Sequence, residues 1–420
     1  MSETGSTRGR RGDETVHRAV VLGHIASVAR PVTETQSLPL GSANGRILAR
    51  DVATAIPLPP FDSSAVDGYG IAAGDVNGTP LQLSVASETT AGAPPGPALR
   101  NGEALRILTG AAVPSGVAAI VMDEKCQRDG DQLIVSVAVR DGANIRYRGE
   151  DVAEGSTIVG AGTLLDARHI AILAAAGISK VNVLRPIRVG VLSNGNELRE
   201  SGEALAPGQI HDTNRPMLMA MLMSRWIEVI DLGRHPDDMQ VLSRVMAEGC
   251  ACADVIISSG GVTGSDADHI GRAVVAAGGD LRSFRMAIKP GKPILAGRIG
   301  NTAMLGLPGN PVSAMVDFLL FGRPLLAATA GLPVEYPAGH KTIAATSFGH
   351  ALGRTEFIPA RLVGLHETGC PLVQMLSGGG AARLRPLVDA DGFVEIASDM
   401  AEVNAGASIT FHPLPDSLVP

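Results

Sequence analysis

From residue 185 onward, short apolar runs alternate with segments whose apolar positions recur at helical spacing. Residues 187–192, 227–232, 255–258 and 303–307 are apolar runs of strand length. Helical patterning fills 213–225, 237–247 and 270–277 between them and returns over 312–328. Strands alternating with helices of this length predict βαβ units on a parallel sheet. Ligands of such sheets bind outside the carboxyl ends of the strands, so the loops there are expected to carry the chemistry. This α/β domain is predicted over 185–331.

The flanking patterns differ. Val16, Ala19, Val20, Ile25, Val28 and Ala29 predict an amphipathic helix over 15–32, which Pro31 closes. Residues 38–152 give short alternating runs, among them 81–85 and 132–139, separated by Gly, Pro and Asp-Gly turns, and so predict a β-rich region. Helical patterning returns over 161–176, with Gly177 as its stop. Beyond Pro333 the runs 343–346, 356–362, 393–396 and 407–411 predict a small β domain. The expected division is a disordered tail at 1–14, a helical and extended domain at 15–50 with 152–184, a β-rich domain at 51–151, the α/β domain, and a β domain at 332–420.

Composition agrees with several cores. The chain has 420 residues, whereas one core stops growing at roughly 250–300. Hydrophobic residues make up 45% and charged residues 18%, with 51 Gly and 27 Pro, which describes a globular chain rich in turns. A net charge of −7 argues against nucleic acid as a partner, so an anionic ligand needs a local basic pocket. Four cysteines are too few for a disulfide scaffold and fit a reduced, cytoplasmic setting. Cys250 and Cys252 lack zinc-site spacing and are read as buried structural thiols. The N-terminus carries Arg8, Arg10 and Arg11 without an apolar run after them, unlike a signal peptide. No uncharged apolar run reaches the ~18 residues of a membrane span.

Several loops could carry chemistry. Ser258-Ser259-Gly260-Gly261-Val262-Thr263-Gly264-Ser265-Asp266-Ala267-Asp268-His269 follows an apolar strand with small residues, which lets backbone N–H groups and a helix N-terminus face a phosphate. It has neither Walker nor dinucleotide spacing. Asp266 and Asp268 fit a Mg²⁺ bridging to that phosphate, and equally fit a helix cap. Lys289-Pro290-Gly291-Lys292-Pro293 holds two ammonium groups on a stiff Pro-Gly turn that suits an oxyanion. In Pro308-Gly309-Asn310-Pro311-Val312-Ser313, Gly309 between prolines suggests close approach to a ligand. Glu197 follows a strand end, and Asp212-Thr213-Asn214 reads first as a helix cap. Asp62 and Asp67 share the loop 59–70, which suits a metal, a polar ligand or a hydrogen-bonded turn. The run 146–151 fits a surface ion-pair cluster.

Taken in order, the segments 61–69, 108–114, 148–151, 193–198, 212–214, 258–268, 289–293 and 307–314 resemble the molybdopterin molybdenumtransferases of the MoeA and gephyrin E-domain type. The resemblance runs from about Val16 to the C-terminus. It implies a cytoplasmic homodimer, dimerising through the helical and extended domain. The α/β domain would be MogA-like and similar to the preceding adenylyltransferase, and the C-terminal domain would be barrel-like. The implied substrates are molybdopterin-AMP and molybdate, with Mg²⁺, and the products AMP and molybdenum cofactor. Asp67, Thr109 and Asp151 match residues that the family contributes from the opposite subunit. Glu197, Asp237 or Asp238, and Asp268 match its acidic residues, with Mg²⁺ on Asp268 and Glu197. Lys289 and Lys292 match its paired lysines, and Ser259, Gly260, Gly261, Pro308, Gly309, Asn310, Pro311 and Ser313 its ligand-lining turns. The upstream adenylyltransferase, apo-molybdoenzymes and their chaperones are the implied partners. The sequence departs from the family at Asn194, where Thr is commoner, at Gly70, where Ala is commoner, and at Thr263-Gly264-Ser265. Two other readings are an adenylyltransferase-like enzyme, which needs no β-rich N-terminal half, and a non-catalytic molybdopterin-binding scaffold, which needs no intact lysines and carboxylates.

Overall fold

The computed structural model describes residues 16–76, 80–262, 269–291, 293–334, 339–376 and 382–414. The expected tail at 1–14 lies outside them. The chain forms two compact units, one of residues 37–183 and one of the flanking segments through 36 and from 184.

In the second unit a mixed sheet has six strands. These are β1 (Ile187–Asn194), β2 (Ile227–His235), β3 (Val255–Ser259), β4 (Asp280–Phe284), β5 (Ile294–Ile299) and β6 (Thr302–Leu307), in the spatial order β2-β1-β3-β6-β5-β4. The four strands expected from the sequence are the parallel ones. An antiparallel pair, β5 and β4, extends the sheet beyond β6, because a short Gly300 turn returns the chain directly. Nearly every residue of β1, β3 and β6 is buried, which explains their continuous apolar composition: helices cover both faces and leave no polar side.

Helix Met239–Cys252 packs through Leu242, Val245 and Met246 against Ile256, Ile270 and Met304. It outruns its predicted end because the buried stripe continues to Gly249. Cys252 falls off that stripe and is exposed, and Cys250 is half-buried, so the expectation of two buried thiols is corrected. The segment Pro311–Thr329 is long and apolar enough to cross a membrane, yet 83% of its most apolar window is buried inside the fold, as in a core helix. It is three pieces in series, with a π-helical turn at Phe318–Gly322 between Pro311–Asp317 and Arg323–Thr329. Helix Arg18–Val28 lies on this unit: the His24 ring sits tilted against Phe284, centroids 5.0 Å apart, and its Nε2 meets the Ala296 carbonyl at 3.1 Å.

C-terminally, strands Thr355–Leu365, Pro371–Met375, His340–Ala344, Ser408–Pro413 and Gly392–Ile396 pair in that order, and the last closes back on the first as a small barrel. The two-residue strand Ile288–Lys289 joins it from the α/β region, parallel to the start of Thr355–Leu365. The 37–183 unit is built on a six-stranded sheet: Val117–Met122, Gly68–Ala72, Glu103–Ile107, Leu81–Thr89, Gln132–Val135 and Cys126–Asp129.

One core position runs against burial rules. Asp317 is fully buried and neither carboxylate oxygen has a hydrogen-bond partner among the described residues. Burial alone pushes its carboxyl well above the ordinary carboxylate range. A group whose folded-state pKa is raised destabilises the fold as pH climbs above its unfolded value, at about 1.4 kcal/mol per unit until the folded value is reached. Asp317→Asn, which keeps the shape and removes the titration, is expected to raise the melting temperature at pH 7. The gain should shrink as pH falls towards the ordinary carboxylate range. A pH-independent difference in thermal melts would show that Asp317 is paired.

Candidate active site

The parallel strands end together. Ser193 of β1 is in register with Ser259 of β3, which is in register with Leu307 of β6. From β1 the chain goes to β2 on one side and then crosses to β3 on the other. The crevice between the ends of β1 and β3 is therefore the switch point of the sheet.

Hydroxyls at this depth are costly unless bonded. Ser259 Oγ donates to the Pro308 carbonyl at 3.1 Å and accepts from Asn214 Nδ2 at 2.7 Å. The Asn214 amide also donates to the Gly309 carbonyl at 2.8 Å. Since these partners leave room only for donors, the orientation of the amide is forced. One buried asparagine thus ties the Pro308-Gly309 turn to the end of β3.

The glycine turn is shaped against β1. Gly260 and Gly261 have φ of 101° and 62°. A Cβ on Gly260 would lie 2.4 Å from the Asn194 carbonyl oxygen, and one on Gly261 2.7 Å from Asn194 Nδ2. Only glycine fits there. Gly260 N–H is already committed to the Leu307 carbonyl at 3.1 Å, so an anion at this turn must rely on the N–H groups of Gly261 and of residues C-terminal to it. Residues 263–268, with Asp266, Asp268 and the Thr263-Gly264-Ser265 departure, lie outside the described residues, as does Lys292.

Asn194 Nδ2 donates to Asp237 at 2.7 Å, and Asp237 N–H donates to Asn196 Oδ1 at 3.2 Å, which draws the loop after β2 over the end of β1. The exposed Glu197 carboxylate folds back over Gly195, where a Cβ would lie 2.7 Å from it. Asp238 instead caps helix Met239–Cys252, accepting from Gln240 N–H at 2.8 Å and Val241 N–H at 2.9 Å. Of the two aspartates matched to one family position, Asp237 is the one turned to the strand ends. Among the described residues no group of three or more His, Cys, Asp or Glu converges as a metal set. The hard oxygens of Glu197 and Asp237 beside a phosphate-type turn still fit Mg²⁺, which takes few protein ligands and keeps water and phosphate as the rest.

Two features went unread in the sequence. Ser193 Oγ donates to Asp212, which accepts from Arg215 Nε at 3.1 Å; Arg215 goes on to Asp231, and to Glu200 at 2.7 Å. The spacing of Asp212 and Arg215 at a helix start is a signal that could have found part of this. Lys289 is the other case. Its Nζ meets Glu356 of the barrel at 2.7 Å, a partner that no sequence spacing reveals.

In the 37–183 unit the three remaining motifs meet. The segment 58–67 is hydrogen-bonded on one side to 108–113, through Gly110 N–H to the Ser64 carbonyl and Val113 N–H to the Asp62 carbonyl. On the other side it bonds to 144–152, through Asp151 N–H to the Leu58 carbonyl and Arg148 N–H to Asp62 Oδ1. Asp67 accepts from both the N–H and the hydroxyl of Thr109 at 2.7 Å, and these bonds hold its carboxyl below the usual range, so it stays ionised. Asp151 is exposed. Arg146 with Glu150 and Arg148 with Glu154 form the surface ion pairs considered for this stretch.

Asn214→Ala leaves Ser259 and the Gly309 carbonyl short of donors in a buried place and is expected to cost ~1–3 kcal/mol. Asn214→Asp, which sets a carboxylate against a carbonyl, should cost more. Urea denaturation measures both; losses no greater than those of an exposed substitution would remove the clamp from the account.

Residues 15–177 match the MoeA N-terminal region (domain I and II), 190–328 a probable molybdopterin binding domain, and 341–414 the MoeA C-terminal region (domain IV). The chain is 36% identical over 383 residues to the molybdopterin molybdenumtransferase of Haemophilus influenzae, covering 91% of this chain and 94% of that one. It is 35% identical over 400 residues to molybdopterin molybdenumtransferase 2 of Mycobacterium tuberculosis, covering 93% and 96%. Among solved structures, the molybdopterin biosynthesis MoeA protein of Pyrococcus horikoshii superposes with a TM-score of 0.79 at 30% identity, over 96% of this chain and 100% of that one. With such likeness over nearly its whole length, the chain belongs to the molybdopterin molybdenumtransferase family.

Proposed function

We propose that this protein inserts molybdenum from molybdate into adenylylated molybdopterin, with Mg²⁺, and releases AMP and molybdenum cofactor. The observation that carries this reading is the convergence at the ends of β1, β3 and β6: a glycine turn, a proline-framed turn clamped by Asn214, and the acidic pair Glu197 and Asp237. A phosphoanhydride and molybdate are both oxyanions, and a crevice that offers fixed N–H dipoles suits them.

With molybdate already bound, water cleaves the phosphoanhydride, and AMP leaves. Molybdate and the pterin dithiol then combine without change of oxidation state: two sulfur–molybdenum bonds form, and one oxo ligand departs as water with both thiol protons. Lys289 supplies positive charge to an oxyanion, with Lys292 as its sequence partner. The turns 260–261 and 308–311 hold the phosphate end of the pterin, Ser313 lying in the first helical turn behind them. Asp67, fixed by Thr109, offers an anionic oxygen, and Asp151 a second carboxylate. Glu197, beside Asp237 and with Asp268 as its sequence partner, would hold Mg²⁺, which neutralises phosphate charge when bound. The protein acts in this reading as a cytoplasmic homodimer that receives its substrate from the adenylyltransferase and passes its product to apo-molybdoenzymes or their chaperones.

Purified protein mixed with molybdopterin-AMP, molybdate and Mg²⁺ is expected to release AMP only when molybdate is present. Asp67→Asn and Lys289→Met should each lower that rate at least tenfold. Pyrophosphate formation from ATP and molybdopterin in place of AMP release would favour the adenylyltransferase reading, and binding of the pterin without either product the scaffold reading.

A further inference from the structure

The lysine proposed to hold an oxyanion is not a free surface cation. Strand Ile288–Lys289 runs parallel to Thr355–Leu365 with Lys289 directly opposite Glu356, so their side chains emerge together. Thr355 N–H donates to the Ala287 carbonyl at 2.9 Å, which locks that register. Lys289 Nζ lies 2.7 Å from Glu356 Oε1, and the other carboxylate oxygen lies 3.6 Å from His350 Nε2. The His350 ring is fixed in turn: its Nδ1 must donate to the Met400 carbonyl, which can only accept. Side-chain exposure grades outward, 1% for His350, 12% for Glu356 and 49% for Lys289.

That gradient decides what the pair does. An ion pair with one half-exposed partner adds little stability, because solvent screens it. Fixing a lysine before a ligand arrives matters more, because it spares the rotamer entropy of ordering a four-carbon stem on binding. Lys289 has three donors and Glu356 takes one, which leaves the others for an anion.

We infer that Glu356 is a positioning residue that aims Lys289 at the oxyanion substrate, so that the C-terminal barrel belongs to the binding machinery. The inference rests on the proposed oxyanion role of Lys289. Glu356→Gln, nearly isosteric, is expected to raise the KM for molybdate about fivefold to tenfold with kcat within about twofold, while Glu356→Asp recovers part of the loss. The decisive comparison is made in a Lys289→Met background. If Glu356 acts through Lys289, adding Glu356→Gln there changes nothing further. A KM effect that persists undiminished in that background, or no KM effect at all, overturns the inference.

Molybdate binding to the full-length variants, measured by calorimetry, gives the same comparison without turnover. A wild-type protein that binds molybdate but releases no AMP would sink the proposed function alone. Unchanged affinity in Glu356→Gln beside a weakened Lys289→Met would sink the positioning role alone.

Discussion

The site depends first on register. Ser193, Ser259 and Leu307 occupy one rung of the parallel ladder, so three strands stop at the same height and their loops leave from a common edge. A slip of one residue in β3 would turn Ser259 to the opposite face and bring Ser258 or Gly260 into its place. The Asn214 clamp, the Gly260 bond to Leu307 and the Asp237 bond from Asn194 all presuppose that alignment. Apolar burial along β1, β3 and β6 supplies the free energy that holds it, and the polar contacts at the edge use the result.

Those polar contacts are buried, which makes them specific as well as costly. Asp212 serves both the Ser193 hydroxyl and Arg215, and Arg215 reaches two further carboxylates. Such networks hold when every member is satisfied and are expensive to break partway. Ser259, Asn214 and Asp212 at the edge of the sheet all have partners, whereas Asp317, a few residues along the following helix, has none among the described residues.

Much of the fold is legible in the sequence because its signals are local. The βαβ alternation points to the four parallel strands, and Gly177 and Pro31 mark helix ends. The antiparallel pair β4 and β5 escapes because it breaks that alternation, and β4, with Asp280, Arg282 and Ser283, is too polar to stand out as an apolar run. Cys252 is misread because its apolar neighbours in sequence are not its neighbours on the helix. Of the motif residues, Asp67 and Thr109 are brought together by hydrogen bonds. Contact between distant residues stays hidden: Asn214 with Gly309, and Lys289 with Glu356, are each joined only by the path of the backbone. Asp238 shows the converse, since adjacency to Asp237 cannot tell a helix cap from a residue at the strand ends.

The strand Ile288–Lys289 has a bearing on how such proteins can be recombined. The barrel draws its edge residue from a segment that precedes it by two strands and a long helix. A barrel cut out at residue 341, where the match to the C-terminal region begins, separates Glu356 from its lysine. Exchange of this module between relatives therefore carries a hidden constraint: the donor's carboxylate and the recipient's lysine must match across the splice, and the natural unit of inheritance is larger than the barrel that it looks like.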